Sequence, residues 1–272
     1  MSTTASTTAP AFSFQGIKVN FLGQNTRDTL VKAIQDVTFD VAPGEFVSII
    51  GPSGCGKSTL LKVAAGLIKP SAGSVKYLGV PVKSIPSGIG YVPQNDSLLP
   101  WRNVRHNVGL GLELRGFPRE ARRDRVDELL SLVGLTAFAD KFPHQLSGGM
   151  RKRVSLVRAL AYRPTAVLMD EPFAALDAQT KLSLHEELIR VRTHEPVTTL
   201  FVTHDIEEAI LLSDRVVVLS KPPSHVQMIE VIDIPHPRSP TAFKFAETFE
   251  TSYTRLWEAI GVFQPTEPGG AP

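Results

Sequence analysis

The chain of 272 residues is poor in several things at once. It has one cysteine, Cys55, so no internal disulfide framework can staple it, and a reducing compartment is expected. It has no apolar run near the roughly 18 residues that cross a bilayer. The longest candidates, such as residues 216–219, have the length of a strand. It lacks an excess of one charge: 29 basic residues face 27 acidic ones, for a net charge of +2. A nucleic-acid footprint would need a clear basic balance, so that partner class is disfavoured. No internal repeat recurs at a fixed period. Residues 1–10 are rich in Ser, Thr and Ala, with no basic start and no apolar core, which excludes a secretory signal. A transit peptide would want arginines, and the first is Arg27. Residues 1–11 are expected to form a disordered tail, and the Pro- and Gly-rich residues 264–272 to fray.

What is present is enough apolar chain, 42% of residues against 21% charged, to bury a sizeable core. Residues 12–41 alternate apolar and polar in short segments, as in Val37-Thr38-Phe39-Asp40-Val41, the pattern of strands. Pro43 and Gly44 mark a turn. Residues 45–50 then rise as a buried strand into a glycine-rich loop, and a helix follows to about Gly66. A strand pair is expected over 73–82. Between 118 and 133, Val126, Leu129, Leu130 and Val133 share one helical face, with charged residues on the other. Another helix is expected over 149–162. After Pro164, strands at 166–169, 198–203 and 215–219 alternate with helices near 179–193 and 205–212, which predicts a parallel sheet. The mostly helical residues 96–162 interrupt that alternation, so the second lobe is an insertion.

The segment Gly51-Pro52-Ser53-Gly54-Cys55-Gly56-Lys57-Ser58 fits G-x-x-x-x-G-K-[ST], between a strand and a helix. Its glycines let successive N–H groups converge on phosphate oxygens, and the helix N-terminus favours negative charge. Lys57 is expected to reach the β- and γ-phosphates. Ser58, with Thr59 one step on, is expected to ligate Mg²⁺. Cys55 is a small loop residue whose thiol a helix N-terminus could activate. The apolar strand at 166–169 ends in Asp170 and Glu171, where a parallel sheet gathers ligands. Asp170 is placed to hold Mg²⁺ beside Ser58, and Glu171 to polarise a water against the γ-phosphate. A second strand ends in His204-Asp205, which puts His204 at the same edge. A zinc-hydrolase reading fails, because Ile189 stands where the second histidine after His185-Glu186 would be. Finally, Leu146-Ser147-Gly148-Gly149-Met150 precedes a helix carrying Arg151, Lys152 and Arg153, a second anion site at a helix N-terminus. The first site already occupies one nucleotide's phosphates, so the second is expected to face a nucleotide held by another copy.

With these elements the sequence resembles the ATP-binding-cassette family over nearly its whole length. Gly51 to Thr59 looks like the Walker A loop, and Gln94, in Tyr91-Val92-Pro93-Gln94, like the Q-loop glutamine. Leu146 to Met150 looks like the signature motif, with Met150 in place of the usual Gln. Val167 to Glu171 is similar to Walker B with the catalytic glutamate, Ala175-Leu176-Asp177 to the D-loop, and His204 to the switch histidine. Phe21 stands where the family has an aromatic that stacks on adenine, with Phe14 as its competitor. The resemblance implies an α/β P-loop NTPase (RecA-like) core with an N-terminal antiparallel β subdomain and an inserted α-helical subdomain. The core lobe would take 12–95 and 163–235, the helical subdomain 96–162, and a C-terminal helical tail 236–272. Two copies would sandwich two ATP molecules, each held by Walker A of one copy and by Ser147, Gly148 and Gly149 of the other. Glu171, His204, Gln94 and Lys57 would be catalytic. Ser58, Gln94 and Asp170 would hold Mg²⁺, and Asp177 would join the two sites.

The resemblance also implies a type. Too few residues follow His204 for the regulatory β-barrel of maltose- or sulfate-type subunits, and no membrane domain is fused, so a separate permease is expected. The apolar string Leu98-Leu99-Pro100-Trp101 suits a socket for that partner. This string, the Ser-Gly-Gly-Met variant and Pro235-His236-Pro237-Arg238 are similar to the nitrate/sulfonate/taurine branch of importers. The expected protein is the ATP-hydrolysing subunit of an importer, peripheral on the cytoplasmic face of the inner membrane. A solute-binding protein would be an indirect partner, and nucleic acid none. The alternative is a soluble cassette ATPase that remodels a ribosome or DNA complex; an exporter engine is a weaker third reading. A P-loop kinase would leave Ser147-Gly148-Gly149 and His204 unexplained.

Overall fold

The computed structural model describes residues 9–22, 30–174 and 176–261. The expected tails at 1–8 and 264–272, and Ala175 of the D-loop segment, lie outside the described residues. Ala11, expected in the tail, is buried, and its N–H donates to the Val41 carbonyl at 2.7 Å.

Strands β1 (Phe12–Leu22) and β2 (Leu30–Val41) pair antiparallel, and β1 also pairs with β4 (Ala72–Tyr77), itself paired with β5 (Val80–Pro81). The parallel part consists of β3 (Phe46–Ile50), β6 (Ile89–Val92), β7 (Ala166–Asp170), β8 (Thr198–Val202) and β9 (Arg215–Leu219). Strand β10 (Ser224–Val231) runs antiparallel to β9 and parallel to β2, and so joins the two parts. The spatial order is β5-β4-β1-β2-β10-β9-β3-β8-β7-β6.

The helices are α1 (Lys57–Ala64), α2 (Val104–Val108), α3 (Leu110–Leu114), α4 (Arg119–Leu132), α5 (Gly148–Leu160), α6 (Ala178–His194), α7 (Ile206–Leu212) and α8 (Phe249–Ile260). The central strands read as nearly continuous apolar runs because both of their faces are covered. Phe46 and Ile50 of β3 face one core with the inserted helices, whereas Val47 and Ile49 face the other, with α1 and β1. The same alternation splits Val167 and Met169 from Ala166 and Leu168 on β7.

Helices α2 to α5 occupy the interruption expected at 96–162. Four of these strands and helices were not expected: β6, whose four residues include a glycine; the one-turn helices α2 and α3; and β10, whose alternation follows a Pro-Pro pair. The C-terminal segment is not helical throughout. Residues 232–238 form an extended strap, and the buried Arg238 donates to the carbonyls of Ile234, Ile210, Ser213 and Ile232.

Candidate functional site

Strands β3, β7 and β8 are neighbours and parallel, so their carboxyl ends open on one edge, the place where such sheets bind ligands. The loop after β3 turns there through Gly51, Gly54 and Gly56, all at positive φ. Gly51 is the strictest: a Cβ would sit 2.6 Å from the Leu219 carbonyl oxygen, which is backbone and cannot yield. Gly56 ends the loop in the left-handed region at the N-cap of α1, which aims the free N–H groups of α1 into the cleft. Lys57 follows, buried, with its Nζ donating to the carbonyls of Gly51 (2.8 Å) and Pro52 (3.0 Å). The cleft, about 510 Å³, is lined by Ser53, Gly54, Gly56, Lys57, Ser58, Thr59, Glu171 and His204.

The acids arrive from β7. The Ser58 hydroxyl donates to Asp170 Oδ1 at 2.6 Å, and the Tyr91 phenol reaches Asp170 Oδ2 at 3.3 Å. Burial and the adjacent carboxylate push the Tyr91 phenol far up, so it stays a donor. Tyr91 is a neighbour that sequence reading quoted without assigning a role, because only the β6–β7 register aligns it. Ser58 and Asp170 offer hard oxygen donors side by side, the chemistry that suits Mg²⁺. Glu171 has φ +43°, a left-handed value rare outside glycine that turns the chain immediately past the strand. Its Oε2 is shared: Gln94 Nε2 lies 3.5 Å away and His204 Nδ1 3.3 Å away. His204 itself is 64% exposed and faces the open cleft. The structure thus brings together Gln94, Asp170, Glu171 and His204 with the glycine-rich loop.

Cys55 and the cations of α5 are both engaged within the fold. The Cys55 thiol is not activated: it is buried, and burial pushes its pKa up against the pull of Lys57. The basic residues of α5 are not free for an anion either. Arg151 Nε meets Asp96 Oδ2 at 2.7 Å, Lys152 lies 3.6 Å from Asp96 Oδ1 and donates to the Gln94 carbonyl, and Arg153 lies 3.3 Å from Glu187. Arg158 completes the clamp by donating to the carbonyls of Asp96 (3.0 Å) and Ser97 (2.8 Å). These contacts span 34 to 62 residues of sequence, and no spacing rule signals them.

The remaining expected residues lie apart from this cleft. Ser147 is the N-cap of α5 and accepts from the Met150 N–H at 3.3 Å. Gly148 has only Arg151 Nη2, at 3.8 Å, near where a Cβ would be; Gly149 is pressed against Thr180 of α6. None of the three lines the cleft. Asp177 caps α6 by accepting the Thr180 N–H at 2.9 Å, and its carboxyl is held low by that contact with Thr180. Phe21 is exposed near the tip of the β1–β2 hairpin, whereas Phe14 is fully buried and stacked on Phe39, which removes it as a surface for a base. Trp101 is 71% exposed, whereas Leu98 packs partly into the core, so the string is a ridge anchored at one end and open at Trp101. Asn107, fully buried, holds that ridge: it accepts the Leu99 N–H and donates to the Leu99, Arg102 and Asn103 carbonyls. Among the described residues no helix is long and apolar enough to cross a membrane.

A glycine loop at a helix N-terminus, a serine-aspartate pair and a glutamate beside a histidine define a nucleotide-triphosphate hydrolysis site. The family model described as ABC transporter matches residues 34–174. An ABC transporter ATP-binding protein of Methanocaldococcus jannaschii is 47% identical over 217 residues, 80% of this chain and 81% of that one. The nitrate import ATP-binding protein of Synechococcus elongatus is 49% identical over 209 residues, 76% of this chain but 32% of that longer one. A solved dimeric ATP-binding cassette, in a post-hydrolysis state with ADP and Pi, superposes with a TM-score of 0.72 at 31% identity, covering 82% of this chain and all of that one. The chain belongs to the ABC transporter family. It is an ATP-binding subunit of that family, an ATPase of the kind coupled to transport.

Proposed function

We propose that this chain drives uptake of a small solute of the nitrate, sulfonate or taurine class through a separate permease, on the cytoplasmic face of the membrane. The observation that carries the mechanism is an incompleteness. The cleft gathers Lys57, Ser58, Glu171 and His204, yet Ser147, Gly148 and Gly149 lie outside it, with open space at Gly148. A second copy placed head to tail would supply that triplet, and the solved relative is itself dimeric. In this reading the 51–56 backbone binds the phosphates, and Lys57 turns from the Gly51 and Pro52 carbonyls to the β- and γ-oxygens. Phe21 stacks on the base, and Asp177 links the two sites. Ser58, Asp170 and Gln94 would hold Mg²⁺, which supplies charge neutralisation at the phosphate oxygens. Glu171 accepts the proton of the attacking water, and Gln94 and His204 orient that carboxylate and the γ-phosphate. Trp101 and its ridge would receive the permease.

The test uses the Glu171→Gln chain, expected to bind ATP and stay closed as a dimer by light scattering. Recovered from its native cells in mild detergent with ATP, it should carry a stoichiometric multi-spanning membrane protein, and Trp101→Ala should lose that partner while still closing. Recovery of ribosomal or DNA factors with no membrane partner would overturn the importer reading. The nitrate import relative supports the branch, and transport assays with the recovered permease and its binding protein would identify the solute.

A further inference from the structure

One charged cluster beside the site is not used by the steps above. Lys181 stands in the first turn of α6, where a cation opposes the positive end of the helix dipole. Its favourable partners lie instead on α7. Nζ donates to Asp205 Oδ2 at 2.7 Å and lies 2.6 Å from Glu208 Oε1. Asp205 uses its other oxygen to cap α7, accepting the N–H groups of Glu207 and Glu208 at 2.9 and 3.2 Å. The buried Glu208 accepts from the Thr203 hydroxyl through Oε2, and Thr203 Oγ1 accepts the Asp205 N–H at 3.1 Å. His185, one turn further along α6, lies 3.5 Å from Glu208 Oε1. Thr203, Glu208, Lys181 and Asp205 therefore close a ring that grips the residues on both sides of His204, whose imidazole faces the cleft 3.3 Å from Glu171 Oε2. Burial works against both carboxylates, yet contacts with Lys181 and their other donors hold them ionised. At its other end Lys181 is one helical turn from Asp177, whose carbonyl accepts the Lys181 N–H at 2.9 Å.

We propose that Lys181 is a positioning residue for ATP hydrolysis: it fastens the backbone that bears His204 to the start of the helix that Asp177 caps. Closure of the dimer at Asp177 then sets His204 of the same chain. This rests on the roles given above to Asp177 and His204. The experiment compares the full chain with Lys181→Met, Lys181→Arg, Asp205→Asn and His204→Ala. The readouts are steady-state hydrolysis, affinity for a fluorescent ATP analogue and the thermal unfolding midpoint. His204→Ala is expected to stop turnover. Lys181→Met is expected to lower kcat about ten-fold or more with analogue affinity unchanged, because a misplaced group costs rate rather than binding. Lys181→Arg should restore most of the rate, since a guanidinium can span both carboxylates. Asp205→Asn, which keeps a capping side chain but weakens the pair, should shift kcat in the same direction as Lys181→Met. A Lys181→Met kcat within about two-fold of the parent, with His204→Ala inactive, overturns the proposal and leaves the reading of His204 standing. Parental turnover in His204→Ala overturns that reading and the proposal with it. Equal losses of affinity and unfolding midpoint in Lys181→Met, not rescued by arginine, would mark a merely structural ion pair and also overturn it.

Discussion

Gly148 and Gly149 are adjacent in the first turn of α5, yet a methyl group would meet very different surroundings at each. At Gly148 the space is open, with one guanidinium nitrogen at 3.8 Å. At Gly149 it would strike Thr180 Cγ2 at 2.6 Å, where α5 abuts the start of α6. Gly148→Ala is therefore expected to leave the isolated chain as stable or more so, by up to about 1 kcal/mol, because alanine favours a helix over glycine. It should impair turnover all the same, if a second nucleotide must approach there. Gly149→Ala is expected to destabilise by about 1–3 kcal/mol through overpacking. Thr180→Ala should relieve it. Urea midpoints and hydrolysis rates on the same samples check both, and equal midpoints for the two single variants would contradict the packing argument. The pentapeptide was legible as a motif, but not which of its glycines meets a neighbour, because Thr180 lies 31 positions away in the chain.

At the scale of elements, α5 holds the segment after Gln94 largely through one carboxylate. Asp96 stands between Arg151 and Lys152, while Arg158 and Lys152 hold the carbonyls of residues 94, 96 and 97. The segment after Gln94 is thereby tied to the helix whose N-cap is Ser147. Burial pulls the Lys152 ammonium down and Asp96 only partly restores it, so the carboxylate is needed where it is. Asp96→Ala is expected to lower the urea midpoint, corresponding to a loss of about 1–2 kcal/mol in unfolding free energy, since two cations lose their shared acceptor. It should also lower turnover more than ATP affinity, by loosening Gln94. An unchanged midpoint and rate would show that the backbone contacts of Arg158 and Lys152 suffice. Sequence reading recognised α5 by its apolar face and its N-terminal small residues, but not the partners of its cations. Periodicity reports which side of a helix is buried, not what sits against its polar side.

Across the whole molecule, the return of the chain after β9 closes the core. Asp214 accepts from Arg192, from the Phe46 N–H at 2.8 Å, and lies 3.2 Å from His236 Nε2; Arg238 lies buried beneath. Burial disfavours the Asp214 carboxylate, but His236, Arg192 and the Phe46 N–H outweigh it and hold its pKa well below the usual range. Burial also pulls Arg238 down to about 10, so it stays charged at neutral pH. A carboxyl depressed in the folded state contributes stability above its unfolded pKa, about 4, and loses it as pH falls through the folded value. Asp205 and Glu208 act in the same direction. Stability is therefore expected to be near full at pH 7 and to decline below about pH 4. Asp214→Asn should start lower and decline less over that range. Urea titrations from pH 7 to 3 check this, and parallel curves would contradict it.

By itself the sequence determined the phosphate loop, the strand-end acids, the helical insertion and most elements of the sheet. Each of these rests on a local period or a fixed spacing, which a chain carries along its own length. It could not determine that Phe14 is core and Phe21 exposed, since both are phenylalanines in one alternating strand and only the β1–β2 and β1–β4 pairing says which face is covered. It could not show Tyr91 against Asp170, Asp96 between the cations of α5, or Lys181 across from Asp205. Those contacts join residues far apart in sequence, and only packing of one element on another sets their distance and removes the water between them.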